Sequence, residues 1–272
     1  MLVWGAATAS AQPGQPAPSE LPPAAPPDGA PVMQQPAPAM QQPPAAPEST
    51  VDKGVLNDAN AGRGWLAPTA LTEPAGTWSI SDYELFLVSV GYAVSDKLSI
   101  SATTIPPLTT DFPLWLLFHA KLQVLKAGKV RAAVQGAFTY FSIKDSGSTD
   151  SFTAGELGGA VTLCIDDECN SHVSGFVGAG FARDTDSAVP FIGAATLVGR
   201  LGKHVKFVGE IDSAFIAGDV NDVADGALLW YGLRFTSRNI GVDLGFVRPV
   251  GVGDTGLALG IPVLTFSYRN MD

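Results

Sequence analysis

Between residues 111 and 143 the chain alternates with a period of two, and this pattern limits the folds open to it. From Leu114 one row reads Leu114, Leu116, Phe118, Ala120, Leu122 and Val124, and the row between reads Trp115, Leu117, His119, Lys121 and Gln123. After Lys126-Ala127-Gly128-Lys129 the alternation resumes, with Val130, Ala132, Val134, Gly136, Phe138 and Tyr140 against Arg131, Ala133, Gln135, Ala137 and Thr139. Successive side chains of a strand point to opposite faces, so two such runs joined by a short turn predict a long hairpin with one apolar and one mixed face.

The same alternation recurs along most of the chain, and about twelve strands are expected: 62–71, 77–93, 97–104, 112–126, 129–143, 152–165, 170–182, 188–201, 204–216, 226–236, 239–248 and 257–269. Their connections alternate between tight ones, such as Ser95-Asp96-Lys97 and Ala127-Gly128, and longer polar ones, such as 105–111, 144–151, 217–225 and 248–256. Long loops at one end and short turns at the other predict an all-β, antiparallel up-and-down transmembrane barrel with the short turns on the periplasmic side. Charge divides the same way. The long loops, with the Glu73 connection, hold ten acids against three bases, while Lys97, Lys126, Lys129, Lys203 and Arg238 sit in or beside the tight turns.

One row of the strands carries Lys121, Arg131, Glu156, Lys206, Glu210, Asp212, Arg234 and Asp243; the other is Leu, Val, Ile, Phe, Ala and Gly. A Lys or Arg near the middle of a lipid-facing wall costs roughly 2–4 kcal/mol. A slip of one residue would expose several charges at once, so the charged row is expected to line the lumen, with Arg200 on the same side. Folding the chain about Asn221 is expected to bring Glu210 within about two positions of Arg234, in reach of a diagonal pair. These groups either border an open pore or satisfy one another as an internal plug of ion pairs.

The N-terminal part reads differently. Residues 12–47 hold 13 of the 21 prolines and six glutamines, a composition that cannot build a core. Three segments are expected: a signal-peptide remnant at 1–11, a disordered Pro/Gln/Ala-rich periplasmic arm and linker at 12–61, and the barrel at 62–272. The first rests on the apolar, small-residue stretch MLVWGAATASA, whose Ala9-Ser10-Ala11 fits the cleavage rule. The arm is an inert tether or a ligand for a periplasmic partner. Only 15% of residues are charged and 46% are hydrophobic, and the net charge is −10. No basic run exists to neutralise phosphates, so a nucleic-acid partner is excluded.

Cys164 and Cys169 flank Ile-Asp-Asp-Glu at a hairpin turn, and in an oxidising compartment they are disulfide candidates. A lone CxxxxC supplies too few ligands for a metal site, and His119 and His204 stand apart, so no metal is expected. Gly251-x-Gly253-x-x-Gly256 matches the dinucleotide fingerprint as a string but lacks the strand–helix setting that would make it work. Asp219, Asn221, Asp222 and Asp225 cluster without the spacing of an EF-hand. No cofactor follows from any of these.

The runs Gly62-Arg63-Gly64-Trp65-Leu66-Ala67-Pro68-Thr69-Ala70, Gly76-Thr77-Trp78 and Val90-Gly91-Tyr92-Ala93-Val94-Ser95-Asp96-Lys97-Leu98-Ser99-Ile100 resemble the opening of uncharacterised bacterial outer-membrane β-barrel proteins. The resemblance spans the folded part and implies an outer-membrane location, outer-membrane lipid around the wall and the barrel-assembly machinery as a partner. Such barrels often finish on an aromatic residue; here Phe266 and Tyr268 are followed by Arg269-Asn270-Met271-Asp272. The function expected is a structural wall component or a narrow pore for small solutes, and not an enzyme. Two alternatives compete. One is a soluble secreted barrel that turns its apolar rows inward around a small apolar ligand. The other is a lipid hydrolase: Asn170, His172 and Ser174 match, in residue type only, the set used by outer-membrane phospholipase A.

Overall fold

The alternating runs pair with their chain neighbours all the way round the molecule. The computed structural model describes residues 51–83, 86–106, 113–145, 148–182, 190–216, 226–250 and 259–271. A short helical turn, α1 (Lys53–Leu56), precedes β1 (Trp78–Tyr83), β2 (Leu87–Ser95), β3 (Leu98–Thr104), β4 (Leu114–Ala127), β5 (Val130–Asp145) and β6 (Ser148–Cys164). β7 (His172–Ala182), β8 (Pro190–Arg200), β9 (Val205–Ile216), β10 (Ala227–Thr236), β11 (Ile240–Val250) and β12 (Ile261–Asn270) follow. All pairs are antiparallel, and β1 also pairs with β12, so the sheet closes into a barrel and leaves no edge. The long arm at 12–47 and the signal-like segment lie outside the described residues.

The barrel has the twelve strands expected, reached through two corrections that cancel. Residues 62–71 are not a strand: apart from the isolated bridge Arg63↔Pro68 they join no ladder. The run 77–93 is instead two strands, β1 and β2, which pair from Trp78↔Tyr92 to Tyr83↔Leu87. In sequence only Glu84-Leu85-Phe86 separates them, with none of the Gly, Pro, Asn or Asp residues that usually mark a break, so the alternation runs on without a signal.

The two faces separate cleanly. Leu157, Val177, Phe181 and Phe118 on the outside are 68%, 63%, 59% and 50% exposed, while Lys121, Arg131, Lys206, Glu210, Arg234 and Asp243 are buried within the barrel. The apolar rows therefore point outward, which removes the soluble barrel with an apolar lumen.

A β-bulge between Gln123 and Leu125 shifts the register of β4 against β5. The extra residue changes the phase, so Lys126 stands opposite Arg131 on the inner side instead of continuing the Leu122 row. A second bulge, between Ala93 and Ser95, sits at the same end of the barrel. Both lie beside tight turns, where the lumen receives the N-terminal segment.

Candidate functional site

Residues 51–77 enter at the tight-turn end and fill that half of the lumen. The segment has no strand ladder of its own, so its backbone groups need partners from the wall. The inward charged row supplies them. Glu210 on β9 accepts from the backbone N–H groups of Trp65, Leu66 and Ala67 at 2.9, 2.7 and 3.0 Å, and from the Thr196 hydroxyl at 2.9 Å. Lys121 on β4 donates to the carbonyls of Gly62, Thr69 and Leu71 at 3.0, 3.2 and 2.6 Å. Beside it Gln123 donates to the Ala70 carbonyl at 2.7 Å, and the Thr162 hydroxyl accepts from the Ala70 N–H at 2.9 Å. Arg234 on β10 donates to the carbonyls of Asn60 and Arg63 at 2.9 and 3.2 Å, and to that of Gly64.

The segment returns charge of its own. Lys206 and Arg234 are direct cross-strand partners, an arrangement of like charges that is unfavourable alone. Asp58 meets both: its Oδ2 lies 2.7 Å from Lys206 Nζ and 3.7 Å from an Arg234 nitrogen. Burial pushes the Asp58 carboxyl up, but Lys206 and Arg234 outweigh it and hold the group well below the usual carboxylate range. Arg234 is held on its other side by Asp243, with Nε to Oδ1 at 2.7 Å, and Asn60 donates to Asp243 at 3.1 Å. Nearer the entrance Asp52 bonds Arg131 at 2.7 Å and Lys126 at 3.0 Å. Burial raises the Asp52 pKa and these two cations more than reverse it. Glu73 lies 3.8 Å from Arg269; burial raises its pKa, and Arg269 and Lys121 offset only part of that.

Packing follows the same division. Trp65 is buried among Val198, Val208 and Val263, stacks against Trp230 with ring centroids 6.4 Å apart, and donates to the Val208 carbonyl at 3.2 Å. A Cβ at Gly245 would stand 2.7 Å from the Trp65 ring, so that glycine makes room for it. A Cβ at Gly64 would fall 1.8 Å from Glu210 Oε2. At the entrance Val55, Ala61 and Leu71 pack on Cys164 and Cys169, which are joined by a disulfide across the β6–β7 turn. Asp166 caps that turn by accepting from the backbone of Glu168, Asn170 and Ser171.

Several expectations change. Glu210 stands across from Trp230 and Arg234 across from Lys206, so the Glu210–Arg234 diagonal is not formed. The lumen charges do not mainly satisfy one another; the inserted segment satisfies most of them. Residues 52–61, read as linker, belong to that insert, and Asp52, Asp58 and Asn60 were missed because charge in a linker resembles any solvated polar residue. The signal available was the excess of Lys121, Arg131, Lys206 and Arg234 on one inner face. Glu156 and Asp212 are partly buried, Asp212 lying within side-chain hydrogen-bond reach of Glu210 and Trp230, and Arg200 lies exposed at the rim. Ser174 bonds Thr162 at 2.8 Å and does not bond His172, which is wholly buried beneath the insert, so the lipase set is not assembled. The Asp219–Asp225 cluster and the Gly251-x-Gly253-x-x-Gly256 string lie outside the described residues. Among the described residues no group of three His, Cys, Asp or Glu is placed to hold a metal ion.

The fold and its filled lumen define a closed antiparallel barrel that carries its own internal segment. No family model and no curated protein matches the chain. Among solved structures it is similar to LpxR from Salmonella typhimurium, at 8% identity and a TM-score of 0.39, over 72% of this chain and 100% of that one. The expectation that the chain is not an enzyme is withdrawn. A likeness this distant transfers no reaction and no residue role.

Proposed function

We propose that this protein is an outer-membrane wall component whose barrel is held shut by its own N-terminal segment. The observation that carries the reading is the set of buried contacts from Glu210, Lys121 and Arg234 to the backbone of residues 60–71. An open pore needs a continuous water path, and these side chains are engaged in closing it. The outward apolar rows suit lipid, and the tight turns suit the periplasmic side. In this reading outer-membrane lipid surrounds the wall, the barrel-assembly machinery inserts it, and the Pro-rich arm reaches a periplasmic partner. The narrow-pore reading then applies only to a state in which the insert has moved.

Purified full-length protein in planar bilayers tests this. The intact chain is expected to give no steady conductance, and Glu210→Ala is expected to give openings. Steady conductance from the intact protein, or a protein that stays soluble without detergent and keeps the same gel mobility after boiling, overturns it.

A further inference from the structure

The insert fills only the tight-turn half of the lumen. Beside the insert, from Ala59–Arg63 past its Leu66–Pro68 tip towards the long loops, lies a cavity of about 490 Å³, within the range of about 300–1,000 Å³ common for small-molecule sites. The inner rows of β1 and β3 bring Ser79, Ser99 and Ser101 to the cavity, and among the described residues none of these three hydroxyls has a protein hydrogen-bond partner. Gly91 separates Ser79 from Ser101 in the register, and a Cβ there would stand 2.7 Å from Ser79 Oγ, so the glycine keeps that hydroxyl clear. The same lining carries Glu156, without an ion-pair partner among the described residues, and Gln135, whose Oε1 is engaged by His119 at 3.0 Å and whose amide N–H groups have no protein acceptor among the described residues.

Hydroxyls that donate and accept, a carboxylate that accepts twice and an amide that donates match a ligand rich in its own hydroxyls. An acyl chain would find Leu66, Leu117, Phe176 and Ile192 on the same lining but would leave every one of these polar groups unpaired. Lys121 and Arg63 line the cavity together with Glu73, Glu156 and Asp212, a lining of mixed charge that favours a ligand with no net charge. We infer that this cavity is a binding site for a neutral saccharide of one or two sugar units, held against the insert. The inference goes beyond the closed-wall reading and does not depend on conductance, since the site exists whether or not the insert ever moves.

The test uses full-length protein in a detergent without sugar headgroups, titrated with glucose and with maltose and followed by saturation-transfer NMR and calorimetry. Spermidine and laurate serve as the amine and acyl probes. At least one sugar is expected to bind saturably with Kd near ~1 mM, and Ser101→Ala with Glu156→Gln to weaken it by about tenfold. Heat-modifiable gel mobility identifies variants that remain folded, and Ser79→Ala serves if the double variant is not. Saturable binding of neither sugar, sugar binding unchanged in the folded variants, or tighter binding of spermidine or laurate overturns the inference.

Discussion

The carboxylate of Glu210 lies 2.9 Å from the backbone nitrogen of Trp65, a residue 145 positions earlier in the chain. The wall thus recognises the insert mainly through its main chain. A carboxylate that gathers three consecutive N–H groups fixes a turn without a helix or ladder, and a carbonyl-collecting lysine does the same on the opposite wall. Side chains at 66–68 are therefore freer to vary than the backbone they decorate.

Glu210→Gln keeps the shape but places an N–H₂ where one of the two acceptor oxygens stood. One buried N–H group then faces a donor, and the remaining bonds lose their charge assistance, each worth roughly 1.5–3 kcal/mol. A denaturant midpoint in micelles is expected to fall, together with the appearance of channel openings. An unchanged midpoint with no openings would show that the insert is held elsewhere.

Asp58 gives the insert a pH dependence of definite sign. Burial raises its pKa, but Lys206 and Arg234 prevail and depress it below the unfolded value of 3.8. A depressed acid contributes stability that is fully present above its unfolded pKa and is lost as pH falls through the folded one. The insert is thus expected to stay seated at neutral pH and to loosen only in strong acid. Asp58→Asn leaves the buried Lys206 without its anion while Arg234 keeps Asp243, at a cost of about 3–5 kcal/mol, and flattens this acid limb. Tryptophan fluorescence of Trp65 against pH reads both effects; an identical profile for the variant would contradict the pairing.

How much of this was legible beforehand follows from where each signal lives. Alternation marked the walls because a barrel strand has two different solvents on its two faces, and Lys121, Arg131 and Arg234 could take only one of them. Alternation could not separate β1 from β2, since Glu84-Leu85-Phe86 carries no turn chemistry. It also misread 62–71, where Trp65, Leu66 and Leu71 look like a strand's apolar row although Pro68, with no N–H, and two glycines argue against a ladder. The partners of a lumen charge are long-range, as with Asp58 and Lys206, and no local pattern announces them.

The outward face makes a separate prediction. Leu157 on β6 is 68% exposed and stands opposite Gly136 and Ala179, in the middle of both ladders. If lipid covers that face, Leu157→Arg is expected to destabilise the barrel by about 2–4 kcal/mol in vesicles, whereas Leu201→Arg in the β8–β9 turn costs close to nothing. Urea unfolding from lipid vesicles measures the difference. Equal effects at both positions would argue against a membrane setting.

The entrance of the insert offers the sharpest coupling. Gly54 in α1 donates its N–H to the Glu168 carbonyl at 2.6 Å, and a Cβ there would stand 2.4 Å from the Cys169 carbonyl oxygen. The obstruction is backbone, and that backbone is held twice, by the Cys164–Cys169 bond and by Asp166, whose carboxylate its N–H donors keep low against the opposing effect of burial. Gly54→Ala must therefore lift α1 away, exposing Val55, whose burial is worth roughly 1.5–3 kcal/mol. Replacing both cysteines with serine frees the turn to yield. The loss from Gly54→Ala is then expected to be smaller in the serine background than in the native one, a coupling of about 0.5–3 kcal/mol. A double-mutant cycle on thermal unfolding measures it. Additive losses would mean that α1 does not rest on this turn.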